Sequence, residues 1–306
     1  MLLRNVKITA IQAGTYYPDG GCMFGVVPRQ RWAQVLPPNR SNRLSLSLNS
    51  YVVETGEHIV VIETGGGVRV DNDAAMNGGL VAPFPLPELI ARAGINPLKV
   101  DVVINSHLHW DHCGGNNIFR DGCFQPSFPN AKYYCSRGEW EHAREMNPRD
   151  AVSYDPRNFD LLVRSGQMEL VGQVHEPAPG IRMQNAPGHT RDLQVVTVDS
   201  GTGTFCFLSD LVPTTAHLLP GWGSAFDLYP LDSVASKIRW LSKAAADPWV
   251  YGFAHDPSIA FAAINKRFEL AEKVTFGQDD AAPEEISRQQ LGPAATVAHP
   301  AFSGNP

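Results

Sequence analysis

The sequence predicts an α/β fold. Short apolar segments of strand length recur along the chain, helical segments bounded by Pro or Gly fall between them, and several strands end on a histidine or an aspartate. The chain has 306 residues, of which 43% are hydrophobic, so it can bury a sizeable core as one large domain or two small ones. Charged residues are 18%, below the usual quarter, and 27 Gly with 24 Pro imply long loops.

Residues 4–13 alternate polar and apolar, which predicts a first strand. Residues 15–42 follow, rich in Gly, Pro, Arg and aromatics without a period; a stretch of that length implies a functional loop or an interface arm. Segments 46–54 and 58–63 read as two strands around a turn at Thr55-Gly56-Glu57. Residues 87–93 begin with Pro and stop before Gly94, the punctuation of a short helix. The apolar run 100–104 predicts a buried strand. Further strands are expected at 131–135, 168–171, 193–199 and 204–209, and helices at 136–145, 156–163 and 231–246. Segment 249–253 reads as the last core strand. After Gly277 the composition shifts to Ala, Pro, Gln and acidic residues, the pattern of a tail over 277–306.

Net charge is -6, which disfavours nucleic acid as a partner. Five cysteines, none in a C-x-x-C pair, read as free thiols in a reducing compartment. The N-terminus lacks a signal-peptide pattern and no apolar run approaches membrane-spanning length, so a soluble cytoplasmic protein without a membrane partner is expected.

The chemistry concentrates in Ser106-His107-Leu108-His109-Trp110-Asp111-His112-Cys113-Gly114-Gly115, directly after the buried strand at 100–104. His107 and His109 are two apart and share a side in extended chain; a following turn brings Asp111 and His112 towards a second position. Imidazoles and carboxylates together suit zinc or a similar borderline cation. Three later segments add isolated candidates: His189 in a Pro-Gly turn, Asp210 at the end of one buried strand and His255 at the end of another. Loops at strand ends are where a rigid scaffold holds reactive groups. Asp73, His58, His142, His175 and His299 have no motif around them and read as surface or packing residues.

On HLHWDH, PGHT, Asp210 and His255, the chain resembles the metallo-β-lactamase fold superfamily over residues 46–256. The resemblance implies a four-layer αββα sandwich. It implies a hydrolase domain over 1–276, with 15–42 as an arm or loop insertion and 277–306 as a C-terminal tail. It also implies two divalent metal ions, with zinc preferred and manganese, cobalt or iron fitting the same ligands. His107, His109 and His189 would hold one ion, Asp111, His112 and His255 the other, and Asp210 would bridge them. Thr190 and Asp192 are candidates for orienting the ligand imidazoles.

Within that superfamily the sequence is most similar to lactonase-type members, through the segment Asp19 to Pro28 and the run His107 to Gly115. The similarity implies a dinuclear-metal hydrolase in which hydroxide held between the metals attacks a lactone or ester carbonyl. Asp111 and Asp210 would be its catalytic residues and a small-molecule ester or lactone its partner. Met23, Phe24, Trp32 and Trp110 are pocket-wall candidates, and the arm and tail suggest a homodimer. The acyl-homoserine lactonases carry a tyrosine three residues after the bridging aspartate, where this chain has Pro213; His217 or Tyr229 is a candidate replacement donor. A glyoxalase II-like thioesterase and an organophosphate hydrolase stay open as alternatives. A metal-stabilised binding or sensing protein without turnover is the alternative outside enzymes.

Overall fold

The structure is a computed structural model that describes residues 1–3, 6–68, 79–82, 84–245 and 249–276. The chain opens with strands β1 (Leu2–Leu3) and β2 (Val6–Tyr16), followed by the short helices α1 (Gly20–Phe24) and α2 (Arg29–Trp32). Strands β3 (Leu46–Glu54) and β4 (Ile59–Ile62), helix α3 (Leu86–Arg92) and strand β5 (Val102–Ile104) come next. Helix α4 (Trp110–Cys113) then leads to β6 (Asn117–Arg120), β7 (Cys123–Pro126), β8 (Lys132–Ser136), helices α5 (Arg137–Glu145) and α6 (Asp160–Arg164), and β9 (Met168–Val171). The second half holds β10 (Val174–Ala178), β11 (Ile181–Asn185), β12 (Gln194–Asp199), β13 (Thr204–Phe207), helix α7 (Pro230–Leu241), β14 (Trp249–Gly252), β15 (Ile259–Ile264) and β16 (Leu270–Thr275).

Two seven-stranded sheets result, ordered β1-β2-β3-β4-β5-β8-β9 and β10-β11-β12-β13-β14-β15-β16. They pack face to face because each central strand is apolar on both sides and its alternate residues enter different layers. Tyr51, Val53, Val60, Ile62, Val102 and Ile104 meet Val196, Val198, Phe205, Phe207 and Val250 between the sheets. Their neighbours Val52, Val61 and Val103 turn outward to Leu86 and Ile90 of α3, Ala143 of α5 and Leu162 of α6. Val195, Cys206 and Tyr251 do the same on the far side against Trp240 and Leu241 of α7. The order is helices, sheet, sheet, helix, the four-layer αββα arrangement of the sequence analysis. Tyr51 also crosses the inter-sheet core: its hydroxyl donates to the Ala260 carbonyl at 2.9 Å and accepts from Phe253 N at 2.9 Å.

Several expectations change. Segment 249–253 is not the last core strand, because β15 and β16 follow it. Strand β15 reads Ile-Ala-Phe-Ala-Ala-Ile, too rich in Ala for a strand signal, yet every residue is buried. The hairpin β10–β11 was also unread; its Pro177 lies on a sheet-edge strand, where a missing N–H is tolerated. The helix expected over 156–163 is a 3-10 turn at Pro156–Asn158 followed by α6, and the one expected over 231–246 gives way to a 3-10 turn after Leu241. The first strand extends beyond residue 13 to Tyr16 through a bulge. Asp73, His299 and the tail 277–306 lie outside the described residues. His142 pairs with Asp150 at 2.7 Å, His58 stands 3.8 Å from Asp101, and His175 lies 5.0 Å from the Tyr134 ring. All five cysteines are free. Among the described residues no helix is long and apolar enough to cross a membrane.

Candidate metal centre

Strands β5, β13 and β14 are parallel to a neighbour, and their carboxyl ends open at one edge of the sandwich. Open α/β sheets hold ligands at such ends. The chain leaving β5 is buried from Asn105 to His109, and it turns into α4 so that Asp111 and His112 fall on its first turn. The loop seats tightly on the turn after β4: a Cβ on Gly115 would stand 2.2 Å from the Thr64 carbonyl, so no side chain fits. Glu63, buried at the end of β4, accepts a hydrogen bond from Ser106 N at 3.0 Å and stands 3.8 Å from His112 Nδ1. The turn between β11 and β12 carries His189, where Gly188 has φ 153 and a Cβ would collide with Ser233. Asp210 follows β13 and His255 follows β14.

All seven ligand candidates converge. Ligand atoms of His107, His109 and His189 lie within 4.8 Å of one another, as do those of His107, His112 and Asp210, and those of Asp111, His112 and His255. His189 Nε2 faces His109 Nδ1 at 3.1 Å, and His255 Nε2 faces His112 Nε2 at 3.2 Å. Nitrogens about 2.0–2.1 Å from a tetrahedral zinc are about 3.3 Å apart, so these spacings are those of lone pairs around a cation. His107 Nε2 is buried without a hydrogen-bond partner, a costly state unless an ion takes its lone pair. Asp210 directs Oδ1 towards His255 Nε2 (3.0 Å) and His112 Nε2 (3.2 Å), and Oδ2 towards His189 Nε2 (3.4 Å). The residues present fit divalent cations.

The second ring nitrogens are fixed from behind. His189 Nδ1 pairs with Asp227 Oδ1 at 3.1 Å, His255 Nδ1 with the Ser47 carbonyl at 3.0 Å, and His107 Nδ1 with Ser106 Oγ at 3.0 Å. Such partners set the tautomer and aim of a ligand imidazole. Buried Glu139 of α5 ties two ligand loops together, accepting from Leu108 N (3.1 Å), Tyr154 Oη (2.9 Å) and Thr190 Oγ1 (2.6 Å). Of the two orienting candidates, Thr190 donates to Glu139, and Asp192 lies against Gly138 of α5. Glu63, Glu139 and Asp227 carry no local signal in the sequence. Each is a single acidic residue without a motif around it, and only the fold brings it to a loop of ligand candidates.

The electrostatics match a donor set. Burial and the neighbouring histidines hold His107 and His109 well below the usual imidazole range, leaving neutral rings with free lone pairs. Burial alone would lower His112 and His189, but Asp210, with Asp111 on the first and Asp227 on the second, raises both. Burial opposes ionisation of Asp210, yet His255, His112 and His189 hold its carboxyl well below the carboxylate range. Cations entering this site displace protons.

A cleft of about 230 Å³ opens over the cluster, lined by Tyr16, Met23, His109, Trp110, Asp111, Val152, His189, Asp210, Pro213 and Phe226 among others. Met23 and Trp110 thus reach it. Phe24, Trp32 and His217 lie behind, as a stack: Phe24 is 5.1 Å from the Trp32 ring and 4.5 Å from His217, both nearly parallel. Both nitrogens of His217 are engaged, Nε2–H donating to the Met23 carbonyl and Nδ1 accepting from Thr214 Oγ1, each at 2.8 Å. Tyr229 lies beneath the Arg191 guanidinium, away from the cleft lining. Neither His217 nor Tyr229 is part of the cleft lining, whereas Tyr16, absent from the sequence candidates, is.

A family model described as the metallo-β-lactamase superfamily matches residues 46–255. An N-acyl homoserine lactonase of a Bacillus species is 28% identical over 195 residues, covering 60% of this chain and 69% of that one. A solved structure described as a probable metal-dependent hydrolase from Staphylococcus aureus superposes with a TM-score of 0.83 at 27% identity, covering 90% of this chain and 98% of the other. AidC, a dizinc quorum-quenching lactonase solved with its product N-hexanoyl-L-homoserine, shares the fold with a TM-score of 0.71 at 20% identity, over 87% of this chain and 92% of its own. The chain belongs to the metallo-β-lactamase superfamily.

Proposed function

We propose that the chain is a hydrolase that uses two divalent cations, zinc by preference, to open a lactone or ester. The observation that carries this reading is the Asp210 carboxylate, with one oxygen towards His112 and His255 and the other towards His189. A carboxylate split in that way supports two cation positions rather than one. Bound cations would supply hydroxide from water at neutral pH and polarise the scissile carbonyl.

The protein's own residues do the rest. His107, His109 and His189 would hold one cation and Asp111, His112 and His255 the second, with Asp210 available to both. Asp111 also lines the cleft, where it can orient the attacking water and take up its proton. Met23, Trp110, Val152, Pro213 and Phe226 give the cleft an apolar wall suited to an acyl substituent. The similarity to N-acyl homoserine lactonases supports a carbonyl ester as the bond attacked. Five free thiols support a cytoplasmic setting.

The test is elemental analysis of the purified protein, followed by turnover on lactones, aryl esters, thioesters and phosphotriesters. About two equivalents of metal and turnover of lactones or aryl esters are expected. Asp210→Ala and His109→Ala should lose metal and more than about a thousandfold of the activity together. Preference for thioesters or phosphotriesters would reassign the substrate class. Full metal content with no turnover of any class would point to a binding or sensing protein.

A further inference from the structure

We infer that the Tyr16 hydroxyl is a substrate-facing hydrogen-bond donor of this site, directed at the acyl oxygen of the bond being cleaved. The inference rests on the hydrolase reading above and adds a residue from outside the ligand motifs.

The register of β2 explains how Tyr16 arrives there. Ile8 pairs with Val53, Ala10 with Tyr51 and Gln12 with Asn49, which places the even positions of β2 on the inter-sheet face. A bulge then intervenes, and beyond it Gly14 pairs with Leu48 and Tyr16 with Leu46. Directly paired residues share a face, so the one-residue slip flips Tyr16 to the side of Leu46, Leu48 and Trp110. Without the bulge its ring would enter the core between the sheets.

The ring is held on two edges, 5.9 Å from Trp110 at 89° and 5.2 Å from the ligand candidate His255 at 63°. Tyr16 is 6% exposed and lines the cleft beside Asp111, Asp210, His109 and His189. Its hydroxyl makes no hydrogen bond among the described residues, and it is not one of the fully buried oxygens left without a partner, so it keeps access to the cleft. A phenol that opens on the cleft beside the ligand candidates is placed to donate to what enters. The lining also includes Pro213, which has no N–H and no polar side chain to offer. An attacked carbonyl gathers negative charge on its oxygen, and a fixed donor there stabilises the transition state more than the ground state.

The decisive variant is Tyr16→Phe, which keeps the ring and both edge contacts and removes one oxygen. Metal content and melting temperature should match the wild type, while kcat on an oxoester falls about 10- to 100-fold with KM nearly unchanged. The matched thionoester, whose sulfur accepts hydrogen bonds poorly, should lose less than about threefold. Binding of an alkylphosphonate monoester, a mimic of the tetrahedral intermediate, should weaken about tenfold or more by calorimetry. Equal losses on oxoester and thionoester, unchanged phosphonate affinity, or a Tyr16→Phe protein that is merely less stable would overturn the inference. Absence of wild-type turnover overturns the hydrolase reading instead, and the phosphonate then decides Tyr16 alone. A wild type that neither turns over nor binds the phosphonate overturns both.

Discussion

At the floor of the cleft, His107, His189 and His255 each rest their second nitrogen on a fixed partner: Ser106, Asp227 or the Ser47 carbonyl. At its rim, Val152 is 67% exposed and Phe226 44% exposed, and their side chains contribute only apolar area. The floor is a polar network in which a missing partner leaves a buried group unpaired, a cost of about 1–3 kcal/mol. The rim is a surface whose contribution scales with area, about 25 cal/mol per Å². The two regions should therefore respond to substitution on different scales and in different observables.

Beyond the ligand candidates themselves, the largest effect is expected behind the floor. Asp227 is buried and is not itself a ligand candidate, but it pairs with the second ring nitrogen of His189 at 3.1 Å. Asp227→Ala should lower metal affinity about 10- to 100-fold, read by competition with a chelator, and activity should return in excess metal. Unchanged affinity would show that the Pro-Gly turn alone holds His189.

How much of each region could be read from the sequence follows the same division. The ligand candidates were legible because four of them fall within six residues after an apolar strand, and the other three sit at a Pro-Gly turn or at strand ends. Local chemistry and strand geometry are enough to flag them. The αββα layering came with the same motifs, and the strands with β-branched residues agreed with it. Strand β15 did not, since its burial comes from its position between β14 and β16 rather than from its composition. The wall was largely illegible. Phe24, His217 and Tyr229 look like pocket residues in sequence, but two of them stack behind the wall and one lies under Arg191. Tyr16 was hidden because its orientation depends on one bulge, and no pattern of alternation announces a bulge. Glu139 and Asp227 depend on contacts 31 to 51 and 38 positions away.

His217 offers an intermediate test, because it supports the wall rather than lining it. Burial, aided by the nearby Lys237, lowers its imidazole to about 3, and its two hydrogen bonds require the neutral ring. The unfolded chain takes up a proton near the ordinary value of 6.5, whereas the folded chain does not until about 3. This contribution to stability is therefore complete above pH 6.5 and is lost progressively as pH falls towards 3. His217→Gln should flatten the fall of Tm across that window by roughly 3–6 °C relative to wild type. Parallel Tm–pH curves would mean that the stack of Trp32, Phe24 and His217 does not report on this proton.

The smallest effect is expected at the rim, and its form matters more than its size. Phe226 reaches the cleft from the segment that also supplies Asp227, so neighbouring residues serve wall and floor. Phe226→Ser removes apolar area without touching a ligand or an orienting group. On the hydrolase reading it should raise KM about two- to fivefold for a long-chain acyl ester, leave kcat unchanged and barely affect an acetyl ester. That dependence on chain length separates the two regions, because damage to the floor lowers turnover of every substrate alike. A fall in kcat that ignores chain length would mean that Phe226 holds Asp227 in place, and that wall and floor are one mechanical unit.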